Sequence, residues 1–197
     1  MANELTGFKI AMLVTDGFEQ SEMTEPKKAL EAAHAKVDII SPNKQTVKGW
    51  QHTHWGDEFN VDANLDATNA KNYDALVLPG GVMNPDKLRI EPKAIAFIKN
   101  FVDDKKPIAA ICHGPWTLIE AGGVKGKTVT SWPSIQSDLR NAGATWVDKQ
   151  VVRDGQLVTS RKPDDLPAFN EEMIKMIAES KSNKKLARKH GEGFNAK

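Results

Sequence analysis

Cysteine is nearly absent from this sequence, with Cys112 the only one among 197 residues. A lone cysteine cannot close a disulfide within the chain, so Cys112 is expected as a free thiol and the fold must rest on its apolar core. Long apolar runs are missing too: no stretch approaches the roughly 18 residues needed to cross a bilayer. Neither charge dominates, because 27 basic residues stand against 26 acidic ones; the net charge of +1 provides no global field for nucleic acid or an anionic membrane. Neither G-x-x-x-x-G-K-[ST] nor G-x-G-x-x-G occurs, which leaves nucleotide binding without support. Metal-site spacings such as CxxC and HExxH are also missing. His52, His54 and Asp57 lie close in sequence but lack a fourth ligand, so no metal and no other cofactor is expected. The first residues lack the apolar stretch and small-residue cleavage site of a secretory signal. The expected location is the cytoplasm, where a thiol stays reduced.

What the chain does contain is 40% hydrophobic residues in a pattern that alternates short apolar strands with helical segments, the signature of parallel βαβ units. Residues 8–14 (FKIAMLV) and 37–41 (VDIIS) read as strands flanking a helix over 22–35. The polar segment 42–72 predicts a small hairpin outside the main sheet. Residues 74–79 (DALVLP) form the clearest buried strand, four apolar residues bounded by an acid and a Pro-Gly-Gly turn. A helical stripe follows over 91–102, then a central strand over 108–112 (IAAIC) and a helix over 115–121 that Gly122 and Gly123 end. Short β segments at 128–131, 145–148, 151–153 and 157–160 flank a helix over 134–141, and Asp154-Gly155 marks a hairpin turn. A last helix beginning near Asp165 is expected to bury Leu166, Phe169, Met173 and Ile177. These elements make one domain over 1–180. Residues 181–197 read as a flexible basic tail, without the interleaved aromatics that would suggest nucleic-acid binding.

In an open parallel sheet, the loops at the carboxyl ends of neighbouring strands converge on one crevice. Three such ends carry unusual residues here: Asp16-Gly17-Phe18-Glu19, Pro79-Gly80-Gly81 and Cys112-His113-Gly114-Pro115. Cys112 sits where an apolar strand meets a helix whose first position is Pro115, and Gly114 permits a tight turn, the pattern of a nucleophile elbow. Free amides and partial positive charge at a helix N-terminus favour a thiolate and hold an oxyanion; Gly80, Gly81 and Gly114 are the candidates for this turn and oxyanion site. The bland alternative is a small buried hydrophobe. His113 is the adjacent base, but neighbours on a strand point to opposite faces, so the turn must rotate the two together. Otherwise His113 only hydrogen-bonds the turn. Glu19 also reads two ways. If the first strand lies beside the fourth, its carboxyl group approaches the sulfur; failing that, it complements a helix dipole.

The ordered blocks ALVLPGG (75–81), AICHGPW (110–116), TSW (130–132), NAGATWVD (141–148) and SRKPDDLPAF (160–169) resemble the PfpI-like branch of the DJ-1/PfpI superfamily. The resemblance implies a flavodoxin-like three-layer α/β sandwich with a mostly parallel central sheet. It implies a nucleophilic Cys112, a Glu19 that contacts the sulfur, and a His113 in a Cys-His-acid arrangement. The acid would come from a neighbouring subunit and matches Asp86, which on its spacing alone reads as a helix cap. A homodimer or higher homo-oligomer would then complete the site. The implied activity is a stress-response enzyme of glyoxalase or deglycase type, acting without a cofactor on small carbonyl compounds or on early glycation adducts of proteins or nucleotides. Two alternatives stand beside it: an intracellular cysteine peptidase acting on peptides, and a non-enzymatic redox sensor or chaperone whose Cys112 is oxidised.

Overall fold

The computed structural model describes residues 4–192, with side chains through residue 180. Strand β1 (Lys9–Leu13) leads through a sharp loop into the short β2 (Phe18–Glu19) and helix α1 (Gln20–Ala32). After β3 (Lys36–Ser41), strands β4 (Thr46–Gln51) and β5 (His54–Asn60) form the hairpin expected in the polar segment, and β2 joins them in a separate small sheet. The short β6 (Ala63–Asn64) and the buried β7 (Ala75–Leu78) return the chain to the main sheet. Helices α2 (Met83–Arg89) and α3 (Pro92–Asp103) precede β8 (Ile108–Ile111), which carries the cysteine turn into α4 (Pro115–Glu120). Next come β9 (Thr128–Val129), α5 (Gln136–Asn141) and β10 (Thr145–Trp146), then the hairpin of β11 (Val151–Asp154) and β12 (Leu157–Ser160). Helix α6 (Leu166–Glu192) closes the fold, its backbone continuing into the basic segment read as a tail; residues 193–197 of that segment lie outside the described residues.

The central sheet runs β11-β12-β8-β7-β1-β3-β6, all parallel except β11. Strand alternation divides its side chains between two cores. Ile10, Met12, Val77 and Ala109 face α1 and α6, where Leu30, Phe169, Met173 and Ile177 are fully buried. Ala11, Leu13, Leu76 and Leu78 face the other layer, with Phe97, Phe101, Leu118 and Leu139. The result is the flavodoxin-like three-layer sandwich. One expectation about neighbours fails: β1 is not beside the cysteine strand β8, because β7 lies between them. From β1 the chain builds outward through β3 in one direction and through β7, β8 and β12 in the other, so the sheet's switch point falls between β1 and β7. Helix α2 was also not expected, since MNPDKLR carries no apolar stripe long enough to announce a helix. No helix among the described residues is long and apolar enough to cross a membrane.

Candidate active site

Beyond β8 the backbone of Cys112 adopts φ 61°, a left-handed conformation that costs a non-glycine residue about 1–2 kcal/mol. Gly114 N–H closes the turn onto Ile111 O at 2.8 Å, and Cys112 O accepts a bond from Trp132 N–H at 3.0 Å. Simple alternation would place Cys112 on the face of Ile108 and Ala110. The turn instead packs it into the opposite core, with Ile111. Tight packing enforces this geometry: a Cβ on Gly114 would lie 2.3 Å from Leu78 O, and one on Gly80 would lie 2.6 Å from Cys112 Cβ.

The carboxyl group against the sulfur is that of Glu22, not Glu19. Glu22 enters one turn into α1, is completely buried, and accepts the Gly80 N–H on Oε2 at 2.9 Å. Its Oε1 has no hydrogen-bond partner of ordinary geometry among the described residues. Burial raises the Glu22 pKa to about 8, against the pull of the Gly80 amide and of the Cys112 side chain. Glu19 sits at the N-terminal boundary of α1 on the cleft wall, where its Oε2 receives the His52 N–H at 3.4 Å. The helix rotation decides between them. Glu22, Pro26 and Leu30 recur four residues apart on the buried side of α1, whereas Glu19 precedes the helix. That signal was present in the sequence as a carboxylate on an otherwise buried stripe.

Burial works against the expected thiolate. Burial pushes the Cys112 thiol well above its ordinary range, the Glu22 charge adds to this, and the backbone amides of Gly81 and His113 oppose it. Burial thus favours the neutral thiol over the thiolate at Cys112. Among the three glycines singled out, the Gly81 amide points toward the sulfur, the Gly80 amide is committed to Glu22, and the Gly114 amide is committed to the turn.

The turn does bring His113 round to its neighbour: Nδ1 lies 3.3 Å from Cys112 Sγ. Nε2 lies 3.1 Å from Ser134 Oγ, and the ring is held between Trp116, edge-on at 5.2 Å, and Trp132, stacked at 6.3 Å. Burial lowers the His113 pKa, which keeps the imidazole neutral at pH 7. Asn84, also missed from sequence, ties the loops around this group together. Fully buried, it accepts the Thr15 N–H at 2.8 Å and donates to Pro79 O and Gly80 O.

Asp86 stands on α2 with an exposed side chain that has no hydrogen-bond or ion-pair partner among the described residues, so this chain does not bring it to its own His113. The cleft above the cysteine has a volume of about 880 Å³, and its upper walls include Trp50, Trp55, Trp132 and Lys162. His52 is at this rim too. Asp57 is occupied by both polar ends of the Gln20 amide, each at 2.7 Å. No group of three His, Cys, Asp or Glu side chains among the described residues is arranged to hold a metal ion.

The chain and its fold have counterparts in known proteins. General stress protein 18 of Bacillus subtilis is 48% identical over 173 residues, covering 87% of this chain and 98% of that protein. Protein/nucleic acid deglycase 2 of Escherichia coli is 43% identical over 171 residues, covering 86% of this chain and 97% of its own. In three dimensions, the crystal structure of Drosophila melanogaster DJ-1beta superposes with a TM-score of 0.79 at 26% identity, covering 95% of this chain and 97% of that one. Residues 8–176 match the family model described as DJ-1/PfpI family, and with most of its length matched the chain belongs to that family.

Proposed function

We propose that this protein is a cysteine-dependent enzyme of reactive-carbonyl metabolism that takes α-oxoaldehydes, or their early adducts on amines and thiols, to 2-hydroxy acids. One observation carries the reading: the Cys112 sulfur lies between a buried carboxyl group, Glu22, and a neutral imidazole, His113, at the floor of an open cleft. That set supplies a nucleophile, an acid and a base without any redox cofactor. The deglycase name of the Escherichia coli relative points the same way.

The chemistry balances on these groups alone. As the sulfur adds to the aldehyde carbon, its proton passes to His113 Nδ1 and Glu22 protonates the carbonyl oxygen, giving a hemithioacetal. Glu22, now a carboxylate, removes the hydrogen from that carbon while the imidazolium protonates the neighbouring ketone oxygen. The resulting enediol takes its proton back from Glu22 on the second carbon and loses its first hydroxyl proton to His113. This leaves a thioester of the 2-hydroxy acid. Water, deprotonated by Glu22, cleaves the thioester, and the imidazolium reprotonates the sulfur. The aldehyde carbon is oxidised, the ketone carbon is reduced, and one water is consumed. An adduct enters the same path when its amine or thiol carrier leaves with a proton as the C–S bond forms. The Gly81 amide is the donor placed to share the developing charge.

A homo-oligomer belongs to this reading. Val82 and Ile90 are exposed at either end of α2, and a second copy seated there would cover them and bring its own Asp86 toward the His113 side of the cleft. Incubation of purified protein with methylglyoxal should yield lactate, and Cys112→Ala should reduce it to background. If the wild type makes no more lactate than the variant, while cleaving short peptides in a Cys112-dependent way, the peptidase reading replaces this one.

A further inference from the structure

The cleft above Cys112 is larger than the proposed reaction needs. Its volume of about 880 Å³ falls in the range that encloses a drug-sized ligand, roughly 300–1,000 Å³, whereas a three-carbon oxoaldehyde fills only the floor. We infer that the upper cleft is a carrier subsite in which Glu19 and Trp55 determine specificity, selecting adducts carried on a guanidinium group, the side chain of arginine, and rejecting those carried on an anionic nucleotide.

The inference rests on the reading of Cys112 as the nucleophile that takes such adducts, and it combines aromatic walls with charge. Trp55 and Trp132 both line the cleft and remain 46% and 40% exposed, so their rings are open to a ligand. Trp50 Nε1–H donates to His52 O at 2.9 Å, and Trp55 packs edge-on against Trp50 with ring centroids 5.4 Å apart, which makes one ordered aromatic wall from the β4–β5 hairpin. Trp132, tied to Cys112 O and stacked on His113, adds a second from a distant part of the chain. The charges on the lining are unbalanced. Glu19, Glu22 and Asp164 stand against Lys162, its one lysine or arginine, and Lys162 Nζ lies 2.9 Å from Asp164 Oδ2. Glu19 has no ion-pair partner among the described residues; its side chain meets the His52 N–H, and its charge acts on Glu22. A guanidinium group is planar, weakly hydrated and stacks on aromatic faces, so indole walls beside an unpaired carboxylate match both its shape and its charge. A nucleotide base would stack on the same walls, but its phosphate would bring like charge near Glu19 with no lysine or arginine left to receive it.

Protection of Cys112 from iodoacetamide at pH 7 reads occupancy of the cleft without any turnover. The probes are Nα-acetyl-arginine amide, its neutral isostere Nα-acetyl-citrulline amide, and adenosine monophosphate. The arginine probe should slow alkylation at concentrations where the other two do not. Glu19→Gln should reduce the preference for arginine over citrulline about fivefold, and Trp55→Ala should weaken binding of the arginine probe by a similar factor. No preference for arginine over citrulline, nucleotide protection that matches that of arginine, or unchanged binding in either variant overturns the inference. So does an absence of protection by any probe, which would leave the exposed tryptophans to a second copy of the chain. A wild type that makes no lactate from methylglyoxal would sink the proposed reaction while leaving this binding preference readable.

Discussion

Glu22 and Gly80 stand 58 residues apart and share one hydrogen bond of 2.9 Å, from the glycine amide to the buried carboxyl oxygen. That bond joins the helix after β1 to the turn after β7, across the switch point of the sheet, and sets the carboxyl group against Cys112.

The first consequence concerns stability against pH. The folded-state pKa of Glu22 is raised to about 8 from an ordinary value of 4.5. As pH rises past the ordinary value, the unfolded chain releases its proton while the folded chain retains it. The contribution of Glu22 is therefore complete below pH 4.5 and is lost progressively up to about pH 8. With about 1.4 kcal/mol for each pKa unit, the loss amounts to several kcal/mol. Glu22→Gln, which keeps the acceptor for Gly80, should flatten this decline and be more stable than wild type at pH 8. Urea unfolding across the range checks it, and parallel curves for the two proteins would contradict the buried acid.

Activity should follow a bell against pH. The acidic limb belongs to His113, whose pKa burial lowers below its ordinary 6.5, and the alkaline limb belongs to Glu22 near pH 8. His113→Asn should cost about a hundredfold in kcat and abolish the acidic limb. Lactate formation measured between pH 5 and 9 decides this, and an acidic limb surviving in the variant would assign it elsewhere.

Gly114→Ala should damage the fold itself. The added methyl group would sit 2.3 Å from Leu78 O, a backbone atom in the neighbouring strand that cannot yield without opening the sheet. A loss of about 3 kcal/mol or more is expected, read as a lower urea midpoint.

Asn84→Ala should leave Thr15 N–H, Pro79 O and Gly80 O without their buried partner. A destabilisation of about 3 kcal/mol is expected, with a loss of turnover that exceeds the loss of folded protein because the Gly81 amide shifts with its loop. Circular dichroism and single-turnover kinetics on the same samples separate the two effects.

Much of this molecule was legible in its sequence because the signals are local. Short continuous apolar runs at β1, β3, β7 and β8 specify buried strands, the Asp154-Gly155 pair specifies the last hairpin, and Cys112-His113-Gly114-Pro115 specifies a strand-to-helix elbow from four consecutive residues. What tertiary structure decided are the contacts that depend on strand order and helix rotation. The sequence places Glu19 and Glu22 one helical turn apart near the same loop, and only the way α1 packs on the sheet turns Glu22 inward and leaves Glu19 on the cleft wall. Burial at Cys112 then pushes against the thiolate that the turn's backbone amides favour. Ser134 and Asn84 meet the site only through folds of the chain across 21 and 69 residues, distances over which no periodicity in a sequence carries information.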